Sequence, residues 1–140
     1  MIRTITALAL AAILSACATA PDAAPAAPVD ARAALAGAWT VDLSTDPREP
    51  YTKAMRLTLS PGSASGGAVT GDFYESDILA GRWKTDRGRT CVSFRTTDGV
   101  GAYHTAACLI PDSTGGDRVE GQTWAEGRNF LFNWNATRAD

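Results

Sequence analysis

Few side chains in this 140-residue sequence could do chemistry, and their spacing narrows what that chemistry is. Cys91 and Cys108 flank Asp98-Gly99-Val100-Gly101, a turn-forming tetrapeptide. If those residues form a hairpin loop, Thr97 faces Ala102, and counting back sets Arg95 against His104, Ser93 against Ala106 and Cys91 against Cys108. Opposed β-carbons lie about 4.5–5.5 Å apart, a modest adjustment from the roughly 3.5–4.5 Å of a disulfide. A Cys91–Cys108 disulfide is therefore expected. Free or catalytic thiols are the alternative, and the lack of a Cys-x-x-Cys spacing argues against redox catalysis. His104 is the single histidine. No Gly-x-Ser-x-Gly elbow accompanies it, so an ordinary strand position is expected. Asp72, Glu75 and Asp77 gather around one turn, where they could hold a hard cation or work as paired acids; a solvated loop is the expectation. One histidine and scattered cysteines do not make a zinc site. No catalytic, metal-ligating or cofactor-binding residue is assigned.

The elements that must position these residues are strands. Trp39, Val41 and Leu43 alternate with polar residues, as do Met55, Leu57 and Leu59, then Val92 and Phe94, and finally Phe130, Phe132 and Trp134. That period of two is the signature of half-buried strands. Turn signals separate the runs, among them Ser60-Pro61-Gly62, Asp86-Arg87-Gly88, Pro111-Asp112 and Glu126-Gly127. Eight strands result, at about 38–43, 53–60, 68–75, 79–85, 90–97, 102–110, 118–124 and 129–138. The expected architecture is all-β, an eight-stranded antiparallel up-and-down barrel that leaves no open edge; a β-sandwich is the competing arrangement. All 13 glycines and all 11 aromatics fall within residues 37–140, which form the domain. Strand parity puts Val92, Phe94, Tyr103, Thr105 and Leu109 on the inner face and the cysteines and His104 outside. Trp39, Phe94, Tyr103, Phe132 and Trp134 are the candidate lining of an apolar pocket. A filled interior is favoured over a hollow one, since eight strands enclose little more than their own side chains.

The first 36 residues are of another kind. Arg3 precedes an apolar run from Ile5 to Leu14, too short to span a bilayer as a helix and typical of a secretory signal. The run ends in Leu14-Ser15-Ala16-Cys17, which resembles a bacterial lipobox. That resemblance implies a signal peptide of residues 1–16, removed to leave Cys17 as the lipid-bearing first residue. Ala18, where inner-membrane lipoproteins of Gram-negative envelopes commonly carry Asp, implies the outer membrane. Residues 18–36 contain ten alanines and three prolines. Those prolines forbid a continuous helix, so residues 17–36 read as an extended, disordered linker, with a helical turn possible at 31–36. The net charge of −2 supplies no basic field for nucleic acid.

Gly37-Ala38-Trp39 at the head of the first strand resembles the Gly-x-Trp signature of the calycin group, which includes lipocalins and avidins. The resemblance implies that Trp39 packs across the closed end of the barrel and that Arg138, at the end of the last strand, lies over it. Val69-Thr70-Gly71-Asp72-Phe73-Tyr74 is similar to an avidin strand, yet Val41 and Phe73 stand where biotin sites use Asn and Tyr, which argues against biotin. The function expected is that of a non-enzymatic lipoprotein in the outer membrane, facing the periplasm and binding a small apolar ligand or an envelope protein. A tethered peptidase or lysozyme inhibitor, presenting residues 44–52 as a protruding apolar loop, is the alternative; an enzyme is a third.

Overall fold

A computed structural model describes residues 30–140, apart from Ala64, Ser113 and Gly115. The signal peptide, the lipid attachment at Cys17 and the linker up to residue 29 lie outside the described residues. Nine strands follow a short helix: α1 (Ala31–Leu35), β1 (Gly37–Asp42), β2 (Thr52–Leu59), β3 (Gly66–Phe73), β4 (Ser76–Asp77), β5 (Ala80–Asp86), β6 (Arg89–Thr97), β7 (Ala102–Ile110), β8 (Arg118–Ala125) and β9 (Phe130–Arg138). All pairings are antiparallel. β9 pairs with β1 and β2 with β3, so eight strands close into an up-and-down barrel while β4 forms a small ribbon on the end of β3. The expected strands and their order are those observed. The β4 ribbon and the 3₁₀ turn Glu126–Arg128 are additions, both too short for any periodicity to reveal.

The β6–β7 register follows from the hairpin count: Thr97 faces Ala102 and Cys91 faces Cys108. The two cysteines are joined as a disulfide with Cα atoms 4.0 Å apart, on the outer face of the barrel. Inward, β6 buries Thr90, Val92, Phe94 and Thr96 in strict alternation.

The interior is filled. Trp134 lies across Gly121, its opposite number on β8, where an added Cβ would sit 2.4 Å from the indole ring. Phe73 stacks against Trp134 at 5.4 Å and meets Phe94 edge-on at 5.6 Å. The indole N–H of Trp134 donates to the Thr123 hydroxyl at 3.0 Å, and Thr123 shares a 3.0 Å bond with Thr105. These polar atoms therefore enter the core with partners, as burial requires.

The linker does not run to residue 36. Asp30 caps α1 by accepting from the Arg32 and Ala33 amides, and Leu35 is fully buried. Leu35 belongs to the domain because it plugs the barrel end beneath Trp39, whose indole N–H donates to the Leu35 carbonyl at 3.0 Å. Arg138 lies over Trp39 with its guanidinium 4.0 Å from the ring, and donates to the Ala36 and Ala34 carbonyls. The cation–π contact alone contributes roughly 0.5–2 kcal/mol. Together these contacts seal one end of the barrel.

Because Gly121 exists to admit Trp134, Gly121→Ala is expected to lower stability by about 1–3 kcal/mol. Urea unfolding of the oxidised domain, residues 30–140, measures this; that segment holds every described strand, α1 and the disulfide.

Candidate functional site

In an up-and-down barrel alternate connections share an end. Those at 60–65, 87–88 and 111–117 flank the end sealed by α1. Those at 43–51, 74–79, 98–101 and 126–129 gather at the other end. There the barrel stays open as a basin of about 980 Å³. Phe73 forms its floor, and Leu43, Tyr51, Tyr74, Phe130 and Phe132 contribute apolar and aromatic wall. Phe130 and Phe132 stand 5.5 Å apart, and Phe130 is 44% exposed although it lies on the inward-facing stripe of β9. It reaches past the top of the filled core, which leaves its ring facing the opening.

Two polar clusters hold the rim. On one side Asp98 accepts from the Tyr103 hydroxyl at 2.7 Å, from Arg128 at 2.8 Å, and from the Val100 and Gly101 amides. The Tyr103 phenol, then the Val100 amide, hold the Asp98 carboxyl down to about 2, with Gly101 and Arg128 adding to the effect. The Tyr103 phenol is pushed up in return, chiefly by donating to that carboxylate. On the other side the Tyr51 and Tyr74 hydroxyls are hydrogen-bonded to each other. Lys53 lies 5.8 Å and 5.2 Å from their two rings and pairs with Glu75 at 2.8 Å. Hydrogen bonding to Tyr51 raises the Tyr74 phenol first, and burial adds to the shift.

Tyr74 and Glu75 make the two-residue turn between β3 and β4, both with left-handed backbone (φ 53° and 64°). Non-glycine residues pay roughly 1–2 kcal/mol each for that conformation. The turn is held by the Tyr51 hydroxyl and by Lys53, and it projects Tyr74 into the basin wall.

No family model, curated protein or solved structure matches the chain.

The five aromatics assigned to a pocket divide. Tyr103 and Phe132 line the basin, whereas Trp39, Phe94 and Trp134 are buried in the filled part of the barrel. They lie deeper along the strands than the basin reaches, and small facing residues such as Gly121 let their rings fill the axis. Gly37 carries a φ of +113°, and a Cβ there would meet Arg138 at 2.9 Å; Gly37, Trp39 and Arg138 thus form the sealed end. His104 points outward and lies 3.1 Å from Glu126. The acidic turn does not converge: Asp72 pairs with Arg56 and Glu75 with Lys53. No cluster of metal-ligating side chains occurs among the described residues. The 44–52 loop is no apolar protrusion: Asp46 and Arg48 pair at its apex and Tyr51 turns into the basin.

Sequence reasoning missed Tyr51, Tyr74, Asp98, Arg128 and Phe130. The available signal was topological, since four alternate connections of such a barrel must share one mouth.

Asp98 titrates below its ordinary range, so its contribution to stability is complete above about pH 4 and is lost as pH falls toward 2. Urea midpoints at pH 2, 3 and 4 are expected to fall with pH, and Asp98→Asn is expected to flatten that slope. The same substitution is expected to bring the Tyr103 phenol back down toward 10, read from tyrosinate absorbance.

Proposed function

We propose that this protein is a non-enzymatic lipoprotein of the outer membrane, facing the periplasm, whose barrel mouth binds a small ligand with an apolar part. The observation that carries this reading is the aromatic-walled basin above a filled core. Ligand sites are concave and combine apolar wall with placed polar groups; the basin sets Tyr51, Tyr74, Phe130 and Phe132 beside charged side chains such as Asp98 and Arg128. A filled barrel leaves no deep cavity for a long chain, so the ligand sits at the mouth. The calycin-like reading of Gly37, Trp39 and Arg138 is in keeping with their contacts.

The lipobox at Leu14–Cys17 supports attachment through Cys17. The preceding chain would reach the domain at α1, the sealed end, so the tether would not cross the mouth. This arrangement favours capture from the periplasm. The inhibitor reading is weaker, because the loop that would enter an enzyme's cleft has a charged apex.

Two measurements test this reading. Cys17→Ser is expected to move the protein from the membrane fraction to the soluble one; retention in the membrane would overturn the anchoring. N-phenyl-1-naphthylamine, a neutral apolar fluorophore, is expected to bind the oxidised 30–140 domain saturably, one to one. Phe130→Ser should weaken it about tenfold, the equivalent of about 1.4 kcal/mol of lost apolar contact. Absence of saturable binding would overturn the mouth as a site for a neutral apolar ligand.

A further inference from the structure

We infer that the basin takes a small organic cation, an alkylammonium or quaternary ammonium group. This rests on the reading of the mouth as the binding surface and adds the charge of what it receives.

The four connections at the mouth carry six carboxylates, on Asp46, Glu49, Glu75, Asp77, Asp98 and Glu126, against the guanidiniums of Arg48 and Arg128 and the Lys53 ammonium at the rim. The field at the opening therefore attracts cations and repels anions. Arg128 is the one basic residue lining the basin among the described residues, and Asp98 holds it at 2.8 Å. It is thus poorly placed to receive an anionic ligand. Among the basin's carboxylates, Glu75 is matched by Lys53 and Asp98 by Arg128. Glu49 lines the basin and has no ion-pair partner among the described residues, which leaves a negative charge beside the aromatic wall.

The wall itself favours the same sign. Aromatic faces are negative, so an ammonium within about 6 Å of a ring centroid is attracted to them. The rim already contains one example: the Lys53 ammonium sits between the Tyr51 and Tyr74 rings and the Glu75 carboxylate. On the far side of the basin from Lys53, Phe130 and Phe132 supply further rings, and Glu49 supplies a carboxylate to the same lining. A weakly hydrated head such as trimethylammonium suits a wall of this kind, and Phe130 and Phe132, 5.5 Å apart, present two neighbouring rings to it.

The test uses choline and 3,3-dimethylbutan-1-ol, which has the same shape with carbon in place of the charged nitrogen. Each is titrated into the oxidised 30–140 domain while ring proton shifts of Tyr51, Tyr74, Phe130 and Phe132 are followed by NMR. The expected result is saturable shifts with choline at least about tenfold tighter than the neutral isostere, an affinity that weakens as salt is added. Glu49→Gln and Phe130→Leu change exposed residues and leave the core untouched. Each should weaken choline severalfold, and Glu49→Gln should leave the isostere unchanged. Equal affinity for the two isosteres at these rings would overturn the cation and leave the mouth reading intact. The naphthylamine probe binding while choline shifts nothing would do the same. Failure of all three probes would overturn both.

Discussion

The structure depends on one packing constraint: the Trp134 indole occupies the space over position 121, and only a glycine there leaves room for it. Phe73 packs against the indole and Phe94 against Phe73, a stack that fills the middle of the barrel beneath the basin. Below that stack, Leu35 and Trp39 are buried and Arg138 covers the Trp39 ring. Above it, the inner stripes of the strands run out of partners, and Phe130, Phe132 and Tyr103 become walls instead of core. The basin is what remains when a barrel of this width is filled from one end. Its floor is Phe73, which rests on Trp134.

The rim is organised differently from the core. Its order comes from charge-assisted hydrogen bonds and from a strained turn, both exposed to water. Asp98 gathers four donors, two from its own loop, Tyr103 from β7 and Arg128 from the next connection, which ties the 98–101 loop to the 126–129 turn. Tyr74 and Glu75 hold left-handed backbone that glycine or asparagine would adopt at less cost. Strain of that kind persists where surrounding contacts over-determine it, and here Tyr51 and Lys53 supply those contacts. The aromatic wall is therefore preorganised by polar groups beside it. A ligand would meet rings already oriented, with less ordering left for binding to bring about.

Much of the fold was legible in the sequence because inward and outward residues differ so sharply. The alternation through Val92, Phe94 and Leu109 set the faces, and one four-residue turn fixed the register that brings Cys91 to Cys108. The helical turn was legible in outline, but its membership of the core was not: Leu35 stands alone among alanines, and its burial depends on Trp39 being above it. The site was less legible for a physical reason. Aromatic residues on the inner stripe look alike in sequence whether they lie at the axis or at the rim. Depth along the barrel separated Phe132 from Trp134, two residues apart, and depth is set by the shear of the closed ring. The rim residues Tyr51, Asp98 and Arg128 come from connections distant in sequence, which alternation does not link.

β1 and β9 are neighbours in the ring, and the Ala139 amide donates to the Ala38 carbonyl at 3.1 Å. Both ends of the folded unit therefore leave from one place, beside α1 and opposite the basin. A backbone with adjoining ends can be joined there and reopened in a tight exposed turn such as Arg87-Gly88 without altering a strand pair, because circular permutation succeeds at such sites. It also means that a domain or label fused after the last strand would hang from the floor of the molecule, leaving the entrance unobstructed.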